Sequence, residues 1–326
     1  MAALDVTFLN NVTREHFIPG LRNQIYDKTV LMNRIMAGGR VKDAVGRSLI
    51  GDVVSTKHAS LGIYQGYDVL ANQPVNPTAQ YALSYSNYYA TLAISGDEER
   101  RNSGAREKLL DMLKIQTDNA YASLRDLMST DLYSDGTAIA GRNRIVGLAS
   151  VVDNDNTYAN INRSTAGNEY WKGQVDATSY AFADLNDPTS ASYLPKLMRT
   201  SEMAATRDNA PDLIVTTTAI YTMYQDIAGV QNLRIDDTMA NLGFGGVKFG
   251  PTSMAFDRYV TTAYMYFLTT QNFEWYVFPG ANFDMIEPGW KQAQNQDAKL
   301  AHLIWSGQLV CRVPRENAVL RSLATS

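Results

Sequence analysis

One helical signal of unusual length constrains this chain more than any other feature. Gly96 to Gly136 reads GDEERRNSGAREKLLDMLKIQTDNAYASLRDLMSTDLYSDG. Asp97 carries a side chain that can cap a helix N-terminus, and Glu98 and Glu99 suit the positive end of the helix dipole. Ser134, Asp135 and Gly136 supply turn residues at the far end. Leu109, Leu113, Ala120, Leu124, Leu127 and Met128 recur at helical spacing, while Lys108, Asp111, Lys114, Asp118 and Arg125 fall mostly elsewhere around the axis. A helix of about 35 residues is roughly 50 Å long, more than a compact domain of ordinary size needs. It suits a flat or extended body, and its apolar stripe requires a partner.

Before it, Leu21, Ile25, Met32, Ile35 and Met36 share a helical face and Gly38-Gly39 ends the run, which predicts a short amphipathic helix after a polar arm. The arm is either a frayed terminus or a segment that orders on a neighbouring subunit. Val41 to Ser95 changes character: Gly46, Gly51, Gly62, Gly66 and Pro74-Val75-Asn76-Pro77 punctuate it, and it ends in YALSYSNYYATLAIS. Tyr81, Leu83, Tyr85 and Tyr89 alternate on one face, with Tyr88, Leu92 and Ile94 on the other, so a bulge near Asn87 is expected. The run predicts a long two-stranded loop with its tip near Gly66 to Pro77. An isolated ribbon is marginal in water, so it lies either against another subunit or back on its own domain.

After the long helix, Ile145-Val146-Gly147-Leu148 and Val151-Val152 suggest short strands, followed by a polar, loop-rich stretch around Tyr170-Trp171. A helix is expected from Pro195 to about Ala205, then a strand at Leu213-Ile214-Val215 leading through a Thr cap into the helix of AIYTMYQDI. From Val247 to Leu320 the signal is mainly β: Phe273 to Phe278, Phe283 to Ile286 and Leu300 to Val313 are aromatic or β-branched runs. The fold class is therefore α+β.

The 326 residues, 45% hydrophobic and 19% charged, can bury one or two sizeable cores. A net charge of -4 argues against a chain-wide basic surface for nucleic acid. The apolar runs, such as Ala263 to Leu268, fall far short of the roughly 20 residues that span a bilayer, so no membrane segment is expected. The start of the chain has no signal-peptide pattern and the one cysteine, Cys311, cannot form an internal disulfide, which suits a reducing cytoplasm.

The search for chemistry returns no catalytic, cofactor-binding or metal-ligating residues. His16, His58 and His302 are scattered, and Cys311 in LVCRV reads as a buried strand residue. Gly243-Phe244-Gly245-Gly246 misses the dinucleotide-binding spacing because Lys248 stands where the third glycine belongs. Ser48 in GRSLIG lacks the frame of a nucleophile elbow, and Asp97, Glu98 and Glu99 are explained by helix capping.

The order of parts, with LYSDGT at Leu132 to Thr137, RIVGL at Arg144 to Leu148 and TYANINRSTAGNEYWKG at Thr157 to Gly173, resembles the major capsid proteins of tailed bacteriophages, which have the Hong Kong 97-like fold. PDLIVTT at Pro211 to Thr217, MYFLTT at Met265 to Thr270 and the tail VCRVPRENAVLRSL are similar too. Ala159-Asn160 depart from the Gly pair of the family pattern, and Thr269 stands in place of Asn.

The resemblance implies an N-terminal arm at 1–39, an extended β-hairpin E-loop at 40–95 and a peripheral domain with the spine helix at 96–147. It further implies an α/β axial domain at 148–256 and C-terminal strands, 257–326, returning to the peripheral domain. It implies a head protein, not an enzyme, that self-assembles as pentamers and hexamers into an icosahedral shell around phage double-stranded DNA, bound without sequence specificity. A separate scaffolding protein, a portal and a decoration protein are the expected partners, with assembly in the host cytoplasm and residence in the virion. Some relatives crosslink an E-loop lysine, and Lys57 lies in that region without a motif to pair it with. The alternatives are a cargo-holding shell of the same fold and a soluble α/β enzyme built around Asp212 to Ile227.

Overall fold

The computed structural model describes residues 29–56, 61–70, 76–97, 100, 106–206, 208–232, 247–286 and 289–324, with the side chains of 106–113, 121 and 229–232 outside that description. The predicted helix before Gly38-Gly39 is present as α1 (Val30–Ala37), with Val30, Leu31, Met32 and Ile35 buried. Its predicted first part, from Leu21, lies outside the described residues. The long helix, α2 (Arg106–Leu132), has 27 residues and spans about 40 Å. Gly96, Asp97 and Arg100 also have helical backbone, while Glu98, Glu99 and 101–105 lie outside the described residues. The turn after α2 forms at the predicted place: Ser134 Oγ donates to the Asp131 carbonyl (2.8 Å), and Gly136 N–H donates to Ser134 Oγ (3.2 Å). Gly136 takes a φ of 74°, a conformation only glycine adopts cheaply.

Two sheets form the body. In the first, β14 (Ala298–Cys311) is flanked on one side by β4 (Ser86–Ser95) and on the other by β12 (Phe273–Met285) and β13 (Lys291–Gln292), all antiparallel to it. The strand β1 (Val41–Asp43) adds in parallel to β12. The second sheet has the order β7 (Gln174–Asp176), β15 (Ala318–Leu320), β11 (Met265–Leu268), β8 (Leu213–Thr216), β10 (Thr252–Phe256), β9 (Val247–Phe249). The predicted strand-then-helix unit is present as β8 followed by α6 (Thr218–Asn232), and the helix predicted from Pro195 is α5 (Leu194–Ala205), preceded by the short α4 (Phe182–Asn186).

Alternation along the second sheet divides the interior. Leu213, Val215, Tyr266, Leu268 and Val319 join the large core shared with the first sheet and with Leu124, Met128 and Leu132 of α2. Ile214, Met265, Phe267, Ala318 and Leu320 turn the other way, into a second core containing Leu194 and Met198 of α5 and Ile220 of α6. Covered on both faces, β8 and β11 can read as unbroken apolar runs, LIVT and MYFL.

Three expectations are corrected. The strands after residue 257 do not all lie beside the long helix: β11 and β15 belong to the second sheet, because a strand with both faces apolar must be covered on both. The segment around Leu148 is no strand but one helical turn, α3 (Leu148–Val151); Ile145, Leu148 and Val151 are buried at a spacing of three, which a strand would turn to opposite faces. Leu127 is 46% exposed, because the buried face of α2 runs through Leu124, Met128, Asp131 and Leu132. The strand α2 packs against most closely is β4, which is itself hydrogen-bonded to β14.

Candidate subunit-contact surface

The Tyr-rich run splits between two structures. Its first half, β3 (Thr78–Ser84), pairs with β2 (Ser48–Val54) in a two-stranded ribbon from Ser48↔Ser84 to Val54↔Thr78, while its second half, β4, joins the first sheet. The expected change of phase therefore falls at Tyr85–Ser86, just before Asn87: Tyr81 and Leu83 are buried before it, and Ser86, Tyr88, Leu92 and Ile94 after it.

The base of the ribbon is locked to its own subunit. Ala82 N–H donates to the Ala159 carbonyl (3.0 Å), and the Tyr85 hydroxyl donates to Val45 O (3.2 Å) while its ring meets Phe278 edge-on at 4.6 Å. Tyr81 stacks on Trp171 (5.4 Å between centroids), which stacks in turn on Tyr158 (5.7 Å). Across the ribbon from Tyr81 stands Gly51, where any Cβ would lie 2.4 Å from the Tyr81 ring, so only glycine lets that ring cross the partner strand.

This aromatic stack rests on Arg163, which is fully buried. Its Nε donates to Trp171 O (2.9 Å), Nη1 to Ser150 O (2.6 Å) and Asn156 Oδ1 (3.1 Å), and Nη2 to Val151 O (2.8 Å). The guanidinium also sits 5.0 Å from the Tyr158 ring centroid. Burial pulls its pKa down to about 10, and the carbonyls, two of them at the end of α3, take the place of a carboxylate partner. The departure at Ala159-Asn160 leaves the tight turn between β5 (Thr157–Tyr158) and β6 (Ile161–Asn162) intact: both residues take positive φ, 52° and 65°, as a two-residue hairpin turn of this hand requires.

The far end of the ribbon is different. Among residues 61–70, Leu61, Ile63, Tyr64, Tyr67, Val69 and Leu70 are all exposed, with Ile63, Tyr67 and Val69 at 104%, 105% and 97%. The predicted tip extends to Pro77, and 71–75 lie outside the described residues.

The C-terminal end of α2 is fixed by buried polar contacts that sequence pattern did not reveal. Asp131 pairs with Arg144 and accepts from the Tyr88 hydroxyl (2.5 Å), which itself accepts from Ile145 N–H (3.0 Å). Tyr133 donates to Asp257 Oδ2 (2.9 Å) just after β10, so the end of the helix is tied to both sheets.

The residues singled out for chemistry do not converge. Cys311 is buried in β14, its thiol pushed up to about 12 by burial, and its backbone N–H donates to the Tyr158 hydroxyl (2.9 Å). His302 contacts Thr91 at an exposed position on the first sheet, and Ser48 opens β2. His16, His58, Lys57 and Gly243 to Gly246 lie outside the described residues. Among the described residues, no group of three or more His, Cys, Asp or Glu is placed to hold a metal ion, and no helix is long and apolar enough to cross a membrane.

No protein-family model and no curated protein matches the sequence. Solved structures do match by shape. A chain of the cyanophage A-1(L) capsid asymmetric unit superposes with a TM-score of 0.59 at 14% identity, over 88% of this chain and 92% of that one. The chain has the Hong Kong 97-like capsid fold. A capsid chain of a native GTA particle matches with a TM-score of 0.58 at 11% identity, covering 89% of this chain and 90% of its own. A virus-like particle from Pyrococcus furiosus matches at 0.50 and 11% identity, over 93% and 96%. In this Hong Kong 97-like chain, α2 is the long helix, β4 of the first sheet packs against it, and the ribbon is anchored on the β5–β6 turn, Trp171 and Phe278.

Proposed function

We propose that the chain is the major capsid protein of a tailed bacteriophage, assembling as pentamers and hexamers into an icosahedral shell around double-stranded DNA. The observation that carries this reading is the ribbon tip, where six large apolar side chains stand in water on a subunit whose fold is that of capsid proteins. Burying each such side chain stabilises by ~1.5–3 kcal/mol, and a neighbouring copy offers that burial at every contact of a closed shell. In this proposal 1–39 is the arm, the β2–β3 ribbon and its tip within 40–95 are the E-loop, 96–147 with the first-sheet strands β12, β13 and β14 forms the peripheral domain, and 148–256 with β11 and β15 forms the axial domain. The role is structural, not enzymatic. A scaffolding protein, a portal and a decoration protein act as partners, and the chain assembles in the host cytoplasm and resides in the virion.

Expression of the chain, alone and with its phage scaffold, followed by sedimentation and electron microscopy, tests the proposal. Closed particles are expected; a small compact monomer under both conditions would contradict it. Similarity to the Pyrococcus furiosus virus-like particle favours one second reading, a shell of the same fold holding cargo in place of a genome. Nucleic acid or protein recovered from purified particles separates the two.

A further inference from the structure

The first turn of α1 is held by residues distant in the chain. The helix has no side-chain cap from its own N-cap residue, Thr29, and no acidic residue in its first turn. Helix starts favour such groups because the leading N–H groups lack intrahelical partners and carry partial positive charge. The Thr29 hydroxyl instead contacts Ser129 Oγ of α2 (2.9 Å), with both residues buried. The missing acid comes from Asp257, directly after β10, whose carboxylate accepts from Val30 N–H.

Asp257 joins three parts of the molecule. Its carboxylate also accepts from the Tyr133 hydroxyl at the end of α2 (2.9 Å) and from Tyr259 N–H (3.1 Å), and its own N–H donates to Thr216 O at the end of β8 (3.0 Å). The residue is only 7% exposed. Other buried carboxylates have a cation beside them: Asp131 has Arg144, and Glu274 has Lys42 and Arg312. Asp257 has none among the described residues, because Arg258, next in the chain, turns its guanidinium to Asp126 (2.9 Å). Burial therefore prevails and raises the Asp257 pKa above its ordinary 3.8, against the pull of the Tyr259, Tyr133 and Val30 donors and the charge of Arg258.

We propose that Asp257 is a proton-sensitive clamp on the first turn of α1: neutral, it holds that turn closed, and its ionisation as pH rises makes local opening easier. Opening lets water reach the carboxyl group and returns it to its ordinary proton affinity, so the closed form binds the proton more tightly. Closure is most stable below pH 3.8 and weakens as pH rises from there through the folded-state value. The surrounding groups do not supply this effect. Tyr133 and, behind it, Tyr266 are pushed up by burial and stay protonated, while Tyr259, Arg125 and Arg258 hold Asp126 below its ordinary value. Asp212, paired with Arg34 of α1 (3.5 Å), acts in the opposite direction, since losing its charge in acid removes a contact to the helix. With the clamp closed, the chain is anchored to the body from Thr29; with it open, anchoring begins further along. The inference concerns the subunit by itself and does not depend on the shell reading.

Hydrogen exchange on the full chain as free subunits tests it, with protection of the amides of 31–37 corrected for the intrinsic rate at each pH and the amides of β11 as the reference for global unfolding. Between pH 4.5 and pH 7.0 that protection is expected to fall about threefold or more, since one unit of pKa difference changes an opening constant about tenfold. Asp257→Asn keeps the shape and removes the charge, so its protection should agree at the two pH values to within about twofold. Protection that is flat or rises with pH in the unsubstituted chain would overturn the inference, and so would a fall that persists in Asp257→Asn. Tyr133→Phe gives a reading that does not rely on the Asn variant folding. It takes one donor from the carboxylate and should enlarge the fall; an unchanged fall would also count against the clamp.

Discussion

The base of the ribbon and the loop residues 61–70 between its two strands meet opposite fates. At the base, Tyr81 is held by Trp171, Tyr158 and the buried Arg163, and the backbone of Ala82 bonds to the turn at Ala159. At the tip, Ile63 and Tyr67 touch nothing that shields them from water. A free ribbon is marginal on its own, so the base is fixed by its own subunit. The apolar tip gains nothing from that anchoring, and its chemistry makes sense once another subunit covers it. The base thus follows one of the two alternatives left open by the sequence, packing on its own domain, and in the proposed shell the tip follows the other.

The largest effect is expected at the tip. The double variant Ile63→Asp/Tyr67→Asp should change the stability of the free subunit by no more than about 0.5 kcal/mol, since neither side chain is buried. It should lower particle yield about tenfold or more, because two side chains worth ~1.5–3 kcal/mol each are lost at every contact. Denaturation of the subunit and particle yield by sedimentation measure the two halves of that statement. At the base the pattern reverses. Trp171→Ala removes the centre of the aromatic stack and should destabilise the subunit itself by ~3–5 kcal/mol, read from its denaturant midpoint.

Smaller changes sharpen the picture of the base. Ala159→Gly relieves a left-handed φ of 52° and should raise stability by up to about 1 kcal/mol, measured in the same way. Cys311 under the stack should resist alkylation at pH 8.5 in the native subunit and react once unfolded, as mass spectrometry would record. Its thiol stays protonated up to about pH 12, so the stability it contributes is complete below its ordinary value of 9.0 and is lost as pH rises beyond it. Glu274 behaves oppositely. Burial raises its pKa, but Lys42, Tyr276 and Arg312 outweigh burial and hold the carboxyl below its ordinary value. Its stabilisation is present at neutral pH and lost as pH falls through the acid range, so Glu274→Gln should flatten the acid limb of the pH–stability curve.

Much of the fold was legible because periodicity and punctuation are local. The turn at Ser134 to Gly136, the end of α1 at Gly38-Gly39, and the β8–α6 and α5 units follow directly from apolar spacing and cap residues. What the sequence hid depends on partners distant in the chain. The Tyr-rich run alternates with a period of two on both sides of Tyr85 and only changes phase there, and it is β14, some 200 residues later, that decides that its second half leaves the ribbon. Arg163 reads as a surface residue until the carbonyls of Ser150, Val151 and Trp171 gather around it. The membership of β11 did leave a signal, since an unbroken MYFL suits a strand covered on both faces. The exposed tip was visible as a Gly- and Pro-punctuated loop, but the apolar surface it presents emerges only once the rest of the chain buries its own.

Electron cryomicroscopy of assembled particles tests the central claim most directly, at residues 61–70. The account predicts density for Ile63 and Tyr67 packed against a neighbouring copy while Tyr81 remains stacked on Trp171 of its own subunit. A tip standing free in solvent in well-formed particles would contradict it.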